Sequence, residues 1–260
     1  MTYFALPRLS NRVWKVWHRN KDVFMKTYKV NFLPPLLEPI LYLFALGFGV
    51  GSFIDVIEGM SYPQFIAPAL ISISIMNSAF FECTYGSYVR MYYQKTFDAI
   101  IATPMSIEEV ITGELLWGAT RSLIYATIVL IVIAAFGLIE LPSSLLIIPF
   151  SFIAGFLFAT IGMCFTAISP NIFLLSYPTV LFITPMFLFS GTFFPLSLLP
   201  EPIQYFALAV LPLTHVVSIV RALTLANFSG FLLVSFAWIV LVSLVLFVLS
   251  VNLMKRRLIV

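Results

Sequence analysis

Residues 141–200 read LPSSLLIIPFSFIAGFLFATIGMCFTAISPNIFLLSYPTVLFITPMFLFSGTFFPLSLLP and contain no Asp, Glu, Lys or Arg. A helix crosses the ~30 Å hydrocarbon core of a bilayer with about 20 residues, so this stretch is long enough for two crossings. Ser169-Pro170-Asn171 interrupts the stretch with a polar, proline-containing turn, and we place the break between two spans there. The stretch therefore predicts an integral membrane protein.

The composition extends this interpretation to the whole chain. Hydrophobic residues make up 61% of the 260 residues and charged residues 10%, whereas soluble domains contain about 45–50% and about 25%. We predict a single all-α domain, residues 1–260, with six membrane-spanning helices. These spans are expected at residues 32–52, 62–84, 115–138, 143–168, 172–191 and 229–253.

The basic residues predict how the spans are oriented. All of the 14 Lys and Arg residues except Arg121 and Arg221 lie before the first span, between spans two and three, or after the last span. An even number of spans places these three segments on one side, and the positive-inside rule assigns that side to the cytoplasm. Both termini are then cytoplasmic. The opposite loops carry acidic residues instead, namely Asp55, Glu58 and Glu140.

Residues 1–31 predict an amphipathic helix. Charged side chains recur every three or four residues from Arg8 to Lys29, a spacing that puts them on one helix face. Apolar side chains such as Val13 and Phe24 cluster away from this stripe. Such a helix lies in the membrane interface, and the alternative is a simple topological anchor. The charges continue too far along the chain for a signal peptide, which needs an apolar core after its basic start.

Residues 87–114 are the longest polar stretch between predicted spans. A short helical pattern from Thr96 to Ala102 stops at Thr103-Pro104, and Ser106 is typical of a helix N-cap followed by carboxylates in the first turn. One face of the short helix carries apolar residues beside Asp98. These residues, Phe97, Ile100 and Ile101, predict a docking helix for a partner, and the alternative is a connector that obeys turn rules.

Residues 192–228 are too long for a tight turn and too apolar for a solvated loop. They contain four prolines. Broken helical pieces at membrane depth need cover from protein or a water-filled cavity, so we predict re-entrant helices on the outer side, between spans five and six. His215 is a candidate pH sensor or metal ligand, although no second ligand has suitable spacing, and a structural or gating role is the alternative.

Four ionisable residues fall inside or near the predicted spans: Glu38, Glu82, Glu114 and Arg121. Intramembrane charge is costly and is usually paired or functional. Arg121 shares a helix face with Glu114, seven residues away, but could instead meet Glu82 or Glu38 from a neighbouring helix. The cluster predicts either a structural ion pair that sets helix packing or a cytoplasmic gate that contacts a cargo headgroup.

Two motifs carry a resemblance to a known family. The loop reads YQKTFDAIIATP at residues 93–104 and is followed by Gly113-Glu114, while the outer segment reads FSGTFFP at residues 189–195 and LPLTH at residues 211–215. Together they resemble the membrane subunits of ABC-2 type transporters, most closely the nodulation-type lipo-oligosaccharide export permeases and the related drug-export permeases. The similarity covers essentially the whole chain.

The resemblance implies roles for the motif residues. In the family, the loop carries a coupling helix that inserts into a cleft of the ATPase subunit, and the segment after span five forms short re-entrant helices on the outer side. The implied contacts with the ATPase are Phe97, Asp98, Ile100, Ile101 and Pro104. The implied outer gate consists of Gly191, Phe194, Pro195 and His215.

The expected function is that of the transmembrane subunit of an ABC exporter in the inner (plasma) membrane. It would move an amphipathic cargo outward: a lipo-oligosaccharide, a glycolipid or polysaccharide, or a hydrophobic drug. The expected partners are a second copy of the chain, two cytoplasmic ATP-binding-cassette ATPase subunits and membrane lipids, with no nucleic acid.

No catalytic residue, metal ligand or cofactor is expected in this chain, which lacks a phosphate-binding loop motif. ATP and Mg²⁺ would be bound by the partner subunit. The alternative functions are an integral membrane enzyme acting on lipid and a secondary transporter.

Overall fold

The computed structural model describes residues 6–7, 9–54, 56–228 and 230–259. Within these residues the regular structure is helical, apart from an isolated bridge between Ile57 and Met60. The helices that position the site are α1 (Val13–Lys26), α2 (Tyr28–Phe53), α3 (Tyr62–Tyr93), α4 (Thr96–Ile101), α5 (Ile107–Ala135), α6 (Ser143–Ile168), α7 (Ile172–Phe189), α8 (Glu201–Val210), α9 (Pro212–Thr224) and α10 (Phe231–Leu258).

Six of these helices are long and apolar enough to cross a membrane: α2, α3, α5, α6, α7 and α10. The predicted all-α class with six spans is therefore confirmed over the part of the chain that the structure describes. Arg8, which belongs to the predicted charged stripe, and Asp55, which belongs to the predicted first outer loop, lie outside the described residues.

The N-terminal boundary differs from the prediction. α2 begins at Tyr28 and not near residue 32, so the amphipathic segment predicted for residues 1–31 ends at Lys26. The Asn31 side-chain amide donates to Thr27 Oγ1 at 2.8 Å. Because the polar groups of this turn are satisfied locally, the helix begins before the apolar run does.

The predicted loop is also too long. α3 continues to Tyr93 and α5 begins at Ile107, whereas the predicted spans end at residue 84 and begin at residue 115. The connection therefore shrinks from residues 87–114 to residues 94–106. The prediction stopped each span where charged residues begin, but those charges are paired between α3 and α5, so both helices continue through them.

Helices α3, α5 and α6 form the core of the bundle. In the most apolar 18-residue stretch of α3, 78% of the residues are buried. The corresponding share is 17% in α2 and α10 and 22% in α7. The peripheral helices therefore present apolar surface that a membrane or a second chain would cover. The predicted break between α6 and α7 is confirmed, since α6 ends at Ile168 and Asn171 Oδ1 caps the next turn by accepting from Leu174 N at 3.1 Å.

Helix α1 packs against α5 along one face. Its buried residues are Val13, Val16, Asn20 and Phe24. A Cβ added to Gly113 of α5 would lie 2.6 Å from Val16 Cβ, so the two helices approach this closely only because residue 113 is a glycine. Part of the predicted apolar face therefore packs on protein. The position of α1 in the membrane interface stays a prediction.

The three basic segments lie at one end of the bundle, which we call the inner end. Arg12 of α1's N-terminus donates to the Pro104 carbonyl after α4, and Lys255 near the end of α10 pairs with Glu108 of α5 at 2.6 Å. Which side of the membrane the inner end faces stays a prediction.

Helices α8 and α9 lie at the opposite end, which we call the outer end. The two helices meet at an angle of 90°, and Pro212 in the first turn of α9 prevents α8 from continuing. This broken pair lies where the re-entrant helices are predicted, and its position in the membrane stays a prediction.

Candidate functional site

The ionisable residues of α3 and α5 form a row of alternating charges at the inner end. Glu114 Oε2 accepts from Arg90 Nη2 at 2.6 Å and from Arg90 Nε at 2.9 Å. Arg90 Nη1 also pairs with Glu82 Oε1 at 2.8 Å, and Glu82 Oε2 accepts from Arg121. We call Glu114, Arg90, Glu82 and Arg121 the charge cluster. Two carboxylates and two guanidinium groups make it neutral as a set.

Neutral groups complete the charge cluster: side chains of α1, α3 and α5 and a backbone carbonyl of α2. The Asn20 amide of α1 donates to Glu114 Oε1 at 2.8 Å, and Ser87 Oγ donates to Glu114 Oε2 at 2.9 Å. Arg121 donates to the Tyr125 hydroxyl at 3.0 Å, and this hydroxyl donates to a backbone carbonyl of α2 at 2.8 Å. The cluster therefore ties four helices together, and Glu114 is fully buried within it.

The local shape of α3 positions its two members of the cluster. α3 is π-helical over Glu82–Gly86 and again over Val89–Tyr93. A π-helical turn is wider than an α-helical turn because its hydrogen bonds run from residue i to residue i+5. The wide turns let Glu82 and Arg90, eight residues apart, reach each other on one side of the helix.

The predicted cluster of Glu38, Glu82, Glu114 and Arg121 is only partly brought together. Arg121 pairs with Glu82, which is one of the three partners considered from the sequence, and not with Glu114. Glu38 lies on α2 with an exposed side chain, and none of the ion pairs found among the described residues includes it. Glu38 nevertheless lines a second cavity of about 280 Å³ together with Glu82 and Arg121, so it lies near the charge cluster without an ion pair to it.

Two important residues were missed by sequence reasoning. Arg90 was assigned to a solvated loop, although it bridges both carboxylates from within α3. Asn20 was not singled out, although it is the polar residue among the buried positions of α1. An Asn on the apolar face of an amphipathic helix indicates a buried polar partner, and this signal was present in the sequence.

A cavity of about 370 Å³ opens beside the charge cluster, between α1, α3 and α5. Its walls include Arg19, Asn20, Trp117 and Arg121. The Arg19 guanidinium donates to Asn20 Oδ1 at 3.0 Å and to the Thr96 hydroxyl at 3.3 Å. Burial lowers the pKa of Arg19 from its ordinary value, and the nearby Glu114 carboxylate opposes that shift.

The predicted coupling helix is present as α4, but its predicted docking face is wrong. Phe97 is fully buried in the core of this chain, and Ile100 and Ile101 are partly buried against the same core. The prediction treated an apolar face on a short polar loop as unpartnered, whereas the extended ends of α3 and α5 cover it. The exposed residues of this segment are Asp98, Ala99, Ala102, Thr103 and Pro104.

The boundaries of α4 and α5 confirm the predicted turn chemistry. Thr103 Oγ1 donates to the Ile100 carbonyl at 2.6 Å where α4 ends. Ser106 caps α5: its side chain accepts from Glu109 N at 3.2 Å, and Glu109 Oε2 accepts from Ser106 N at 2.8 Å. This reciprocal arrangement is a capping box, which satisfies two backbone donors at once.

The outer end is organised around the turn that follows α7. Gly191 has φ = +73°, a conformation that only glycine adopts without strain. Its carbonyl accepts from Arg221 Nη2 of α9 at 2.8 Å, and the Arg221 guanidinium lies 4.1 Å from the Phe65 ring centroid. Pro195 is buried after the turn and Phe194 is half-buried.

His215 has a partner for each ring nitrogen. Nδ1 lies 3.1 Å from Ser235 Oγ and Nε2 lies 2.8 Å from the Leu208 carbonyl oxygen. The ring stacks on Trp238 with 4.5 Å between centroids. Among the described residues, no group of three His, Cys, Asp or Glu side chains is placed to hold a metal ion. The contacts of His215 favour the structural interpretation over the metal-ligand one.

Six long apolar helices, with the charges of α3 and α5 paired at the inner end, define a multi-pass membrane protein. Residues 11–225 match the family described as ABC-2 type transporter. The chain belongs to this family, and it is a membrane subunit of an ABC exporter.

Three relatives illustrate the range of the similarity. The chain is 33% identical over 243 residues to Nodulation protein J of Sinorhizobium fredii (strain NBRC 101917 / NGR234), covering 94% of this chain and 92% of the relative. It is 32% identical over 254 residues to Nodulation protein J of Rhizobium meliloti (strain 1021), covering 98% and 97%. It is 24% identical over 185 residues to the inner membrane transport permease YadH of Escherichia coli (strain K12), covering 71% and 72%.

Proposed function

We propose that two copies of this chain work with two cytoplasmic ATP-binding-cassette ATPase subunits, and that these subunits bind and hydrolyse ATP with Mg²⁺. The permease would move an amphipathic cargo out across the inner membrane, with both of its termini in the cytoplasm. The proposed cargo is a lipo-oligosaccharide, a glycolipid or polysaccharide, or a hydrophobic drug. Similarity to nodulation proteins and to an inner membrane transport permease supports the cargo class and the location.

The observation that carries the proposal is the way α4 is held. Its Phe97 side chain is anchored in the core between α3 and α5. The Arg19 side chain of α1 reaches Thr96 at the start of α4, and Arg12 holds the Pro104 carbonyl after its end. A force applied to the exposed face of α4 would therefore reach α1, α3 and α5 together.

The face available to an ATPase is the exposed one, which carries Asp98, Ala99 and Ala102. Small residues allow close approach of a partner, and Asp98 adds one charge. This exposed face replaces the apolar face of α4, formed by Phe97, Ile100 and Ile101, as the proposed contact surface. Phe97, Ile100 and Ile101 act from beneath, by fixing the position of the helix.

The experiment that tests the proposal is pull-down of the ATPase by the full-length permease, measured beside cargo export. Ala102→Glu and Asp98→Lys should weaken ATPase binding at least about tenfold, because each places an unmatched charge in the contact. Met25→Glu is the matched control, since Met25 is 57% exposed on α1 of the same end. Normal binding and export in both α4 variants would overturn the coupling role of this face.

The proposed orientation has its own test. Cysteines introduced at Glu58 and Glu140 should be labelled from outside intact cells, and cysteines at Lys95 and Arg256 only after permeabilisation. The unaltered chain provides the background, because Cys83 is buried and Cys164 is half-buried. External labelling at Lys95 would reverse the proposed topology.

Cargo class is tested with the purified complex in proteoliposomes. ATP hydrolysis should rise when a lipo-oligosaccharide, a glycolipid or a hydrophobic drug is added, and the cargo should leave the leaflet in which it was placed. Stimulation by none of the three classes would contradict the cargo proposal while leaving the family assignment intact.

A further inference from the structure

The cavity beside the charge cluster carries more positive charge than the cluster needs. Three arginines line it, Arg19, Arg90 and Arg121, against the single lining carboxylate Glu82. The carboxylate of Glu114 lies behind Arg90 and is fully buried. The three arginines together with the two carboxylates, Glu82 and Glu114, therefore have a net charge of +1.

One of these arginines keeps donor capacity free for a ligand. Arg19 forms no ion pair with any described residue, and its two hydrogen bonds go to neutral oxygens of Asn20 and Thr96. The Arg121 guanidinium is already bonded to Glu82 and Tyr125, and its Nε is sealed from solvent. Arg121 therefore adds positive charge to the cavity wall, while Arg19 supplies the free donors.

The remaining walls suit a molecule with both a polar and an apolar part. Asn31 and Gln94 supply amides, while Val23, Phe24 and Trp117 supply apolar surface. Phe24 and Trp117 stack edge to face with 5.5 Å between ring centroids. The cavity opens between α1 and the ends of α3 and α5, at the level where α1 would lie along the membrane surface.

We propose that this cavity binds the phosphate of an anionic phospholipid headgroup from the leaflet next to α1. Guanidinium groups match phosphate geometry through paired N–H donors. Arg19 would donate to the phosphate oxygens, the positive charge of Arg121 would attract them, and the glycerol portion would lie against Val23 and Phe24. The proposal relies on α1 lying in the membrane interface, but not on the ATPase partner or the cargo.

Two substitutions test the site without removing an ion pair of the charge cluster. Arg19→Gln removes the charge that has no carboxylate partner, and Val23→Glu places a negative charge on a residue that lines the cavity and is 53% exposed. The matched controls on the same helix are Lys26→Gln and Met25→Glu, two exposed residues outside the cavity wall. Arg19→Lys keeps the charge and should keep most of the affinity.

The measurement is native mass spectrometry of the full chain in detergent, titrated with dioctanoyl phosphatidylglycerol, dioctanoyl phosphatidylcholine and inorganic phosphate. We expect tight binding of one phosphatidylglycerol per chain and weaker binding of phosphatidylcholine. Arg19→Gln and Val23→Glu should lower the phosphatidylglycerol affinity at least about tenfold, consistent with loss of one charge-assisted hydrogen bond. The two controls should change it by less than about twofold.

The other outcomes answer two separate questions: whether the phosphate site exists, and whether its ligand is a lipid headgroup or a free anion. Inorganic phosphate that displaces the lipid at similar concentration, with the same dependence on Arg19, would support the phosphate site but with a free anion as its ligand. Equal affinity of all variants for phosphatidylglycerol, or equal affinity for the two lipids, would overturn the proposal. Thermal unfolding of each variant in the same detergent shows whether the chain is folded, and the Arg19→Lys variant provides the comparison if Arg19→Gln is not.

Discussion

The inner and outer ends of the bundle are held together by different chemistry. At the inner end, Glu82 and Glu114 each accept from at least one arginine, and charge alternates along the row. At the outer end, Arg221 donates to the Gly191 and Phe65 carbonyls, and none of the ion pairs found among the described residues includes it.

This difference indicates which end is built to stay fixed. Removing one partner of a buried ion pair leaves an uncompensated charge and typically costs about 3–5 kcal/mol. Breaking a hydrogen bond from a guanidinium to a neutral carbonyl costs less, since such a bond contributes about 1.5–3 kcal/mol net. We infer that the inner end is the rigid base of the bundle and that the outer end rearranges more easily.

The largest expected effect comes from Glu114. Glu114→Gln removes the charge that Arg90, Asn20 and Ser87 surround, and we expect a loss of about 3–5 kcal/mol of unfolding free energy. The measurement is thermal unfolding of the purified chain. Glu38→Gln is the control, an exposed acid on a peripheral span, with an expected change of about 0.5 kcal/mol or less. Equal shifts for the two variants would contradict the rigid-base interpretation.

The next prediction compares the free energy of unfolding after loss of Arg121, at the inner end, and of Arg221, at the outer end. Arg121→Ala should cost about 1.5–3 kcal/mol, the range for hydrogen bonds to charged groups, because Glu82 keeps Arg90 as a partner. Adding Glu82→Gln should recover part of that loss. Arg221→Ala should show little recovery with Glu58→Gln, since the hydrogen-bond partners of Arg221 are carbonyls and Glu58 acts on it only through space.

The readout for these pairs is a double-mutant cycle on unfolding free energy. The interaction energy should fall within about 0.5–3 kcal/mol at the inner end and close to zero at the outer end. A large coupling between Arg221 and Glu58 would mean that the outer end also contains an ion pair, and the contrast between the ends would disappear.

A smaller effect is expected at the outer turn. Gly191→Val forces a branched side chain into a left-handed conformation, at a cost of about 1–2 kcal/mol. Gly230→Val is the control, because Gly230 has φ = −59° and an added Cβ would have no neighbour within 4 Å. Export should fall in the Gly191 variant while ATPase pull-down is retained. Loss of assembly instead would show that the turn belongs to the scaffold.

The smallest expected effect is that of a metal chelator, which tests the role of His215. Because both ring nitrogens already have partners, a chelator should leave the unfolding temperature of the isolated chain unchanged. His215→Phe keeps a ring against Trp238 but loses the contacts to Leu208 and Ser235, at an expected cost of about 1–2 kcal/mol. A chelator that lowers the unfolding temperature would revive the metal-ligand interpretation.

Much of the fold could be predicted from local pattern. The break at Ser169-Pro170-Asn171 and the cap at Ser106 depend on residues that are neighbours along the chain, and both were confirmed. A proline beside polar turn residues disfavours helix continuation, and a serine oxygen accepts from a nearby backbone amide, whatever lies beyond them. Such features need no knowledge of the rest of the molecule.

The candidate site was predicted less well because its chemistry is between helices. Arg121 was correctly expected to be paired, but its partner could not be chosen among three carboxylates. Arg90 was treated as a loop residue, since a charge beside a span normally indicates the end of that span. Phe97 was treated as exposed, since nothing in the loop sequence shows that α3 and α5 extend far enough to cover it.

The sequence by itself determined that the protein is helical, that it has six spans and that its basic segments share one end, because apolar length and charge position are properties of the chain. Only the tertiary structure decided that Arg90 links Glu82 to Glu114, that Glu38 is left out of this row of ion pairs and that Phe97 points inward. The physical reason is that the cost of a buried charge or ring depends on what a neighbouring helix places opposite it.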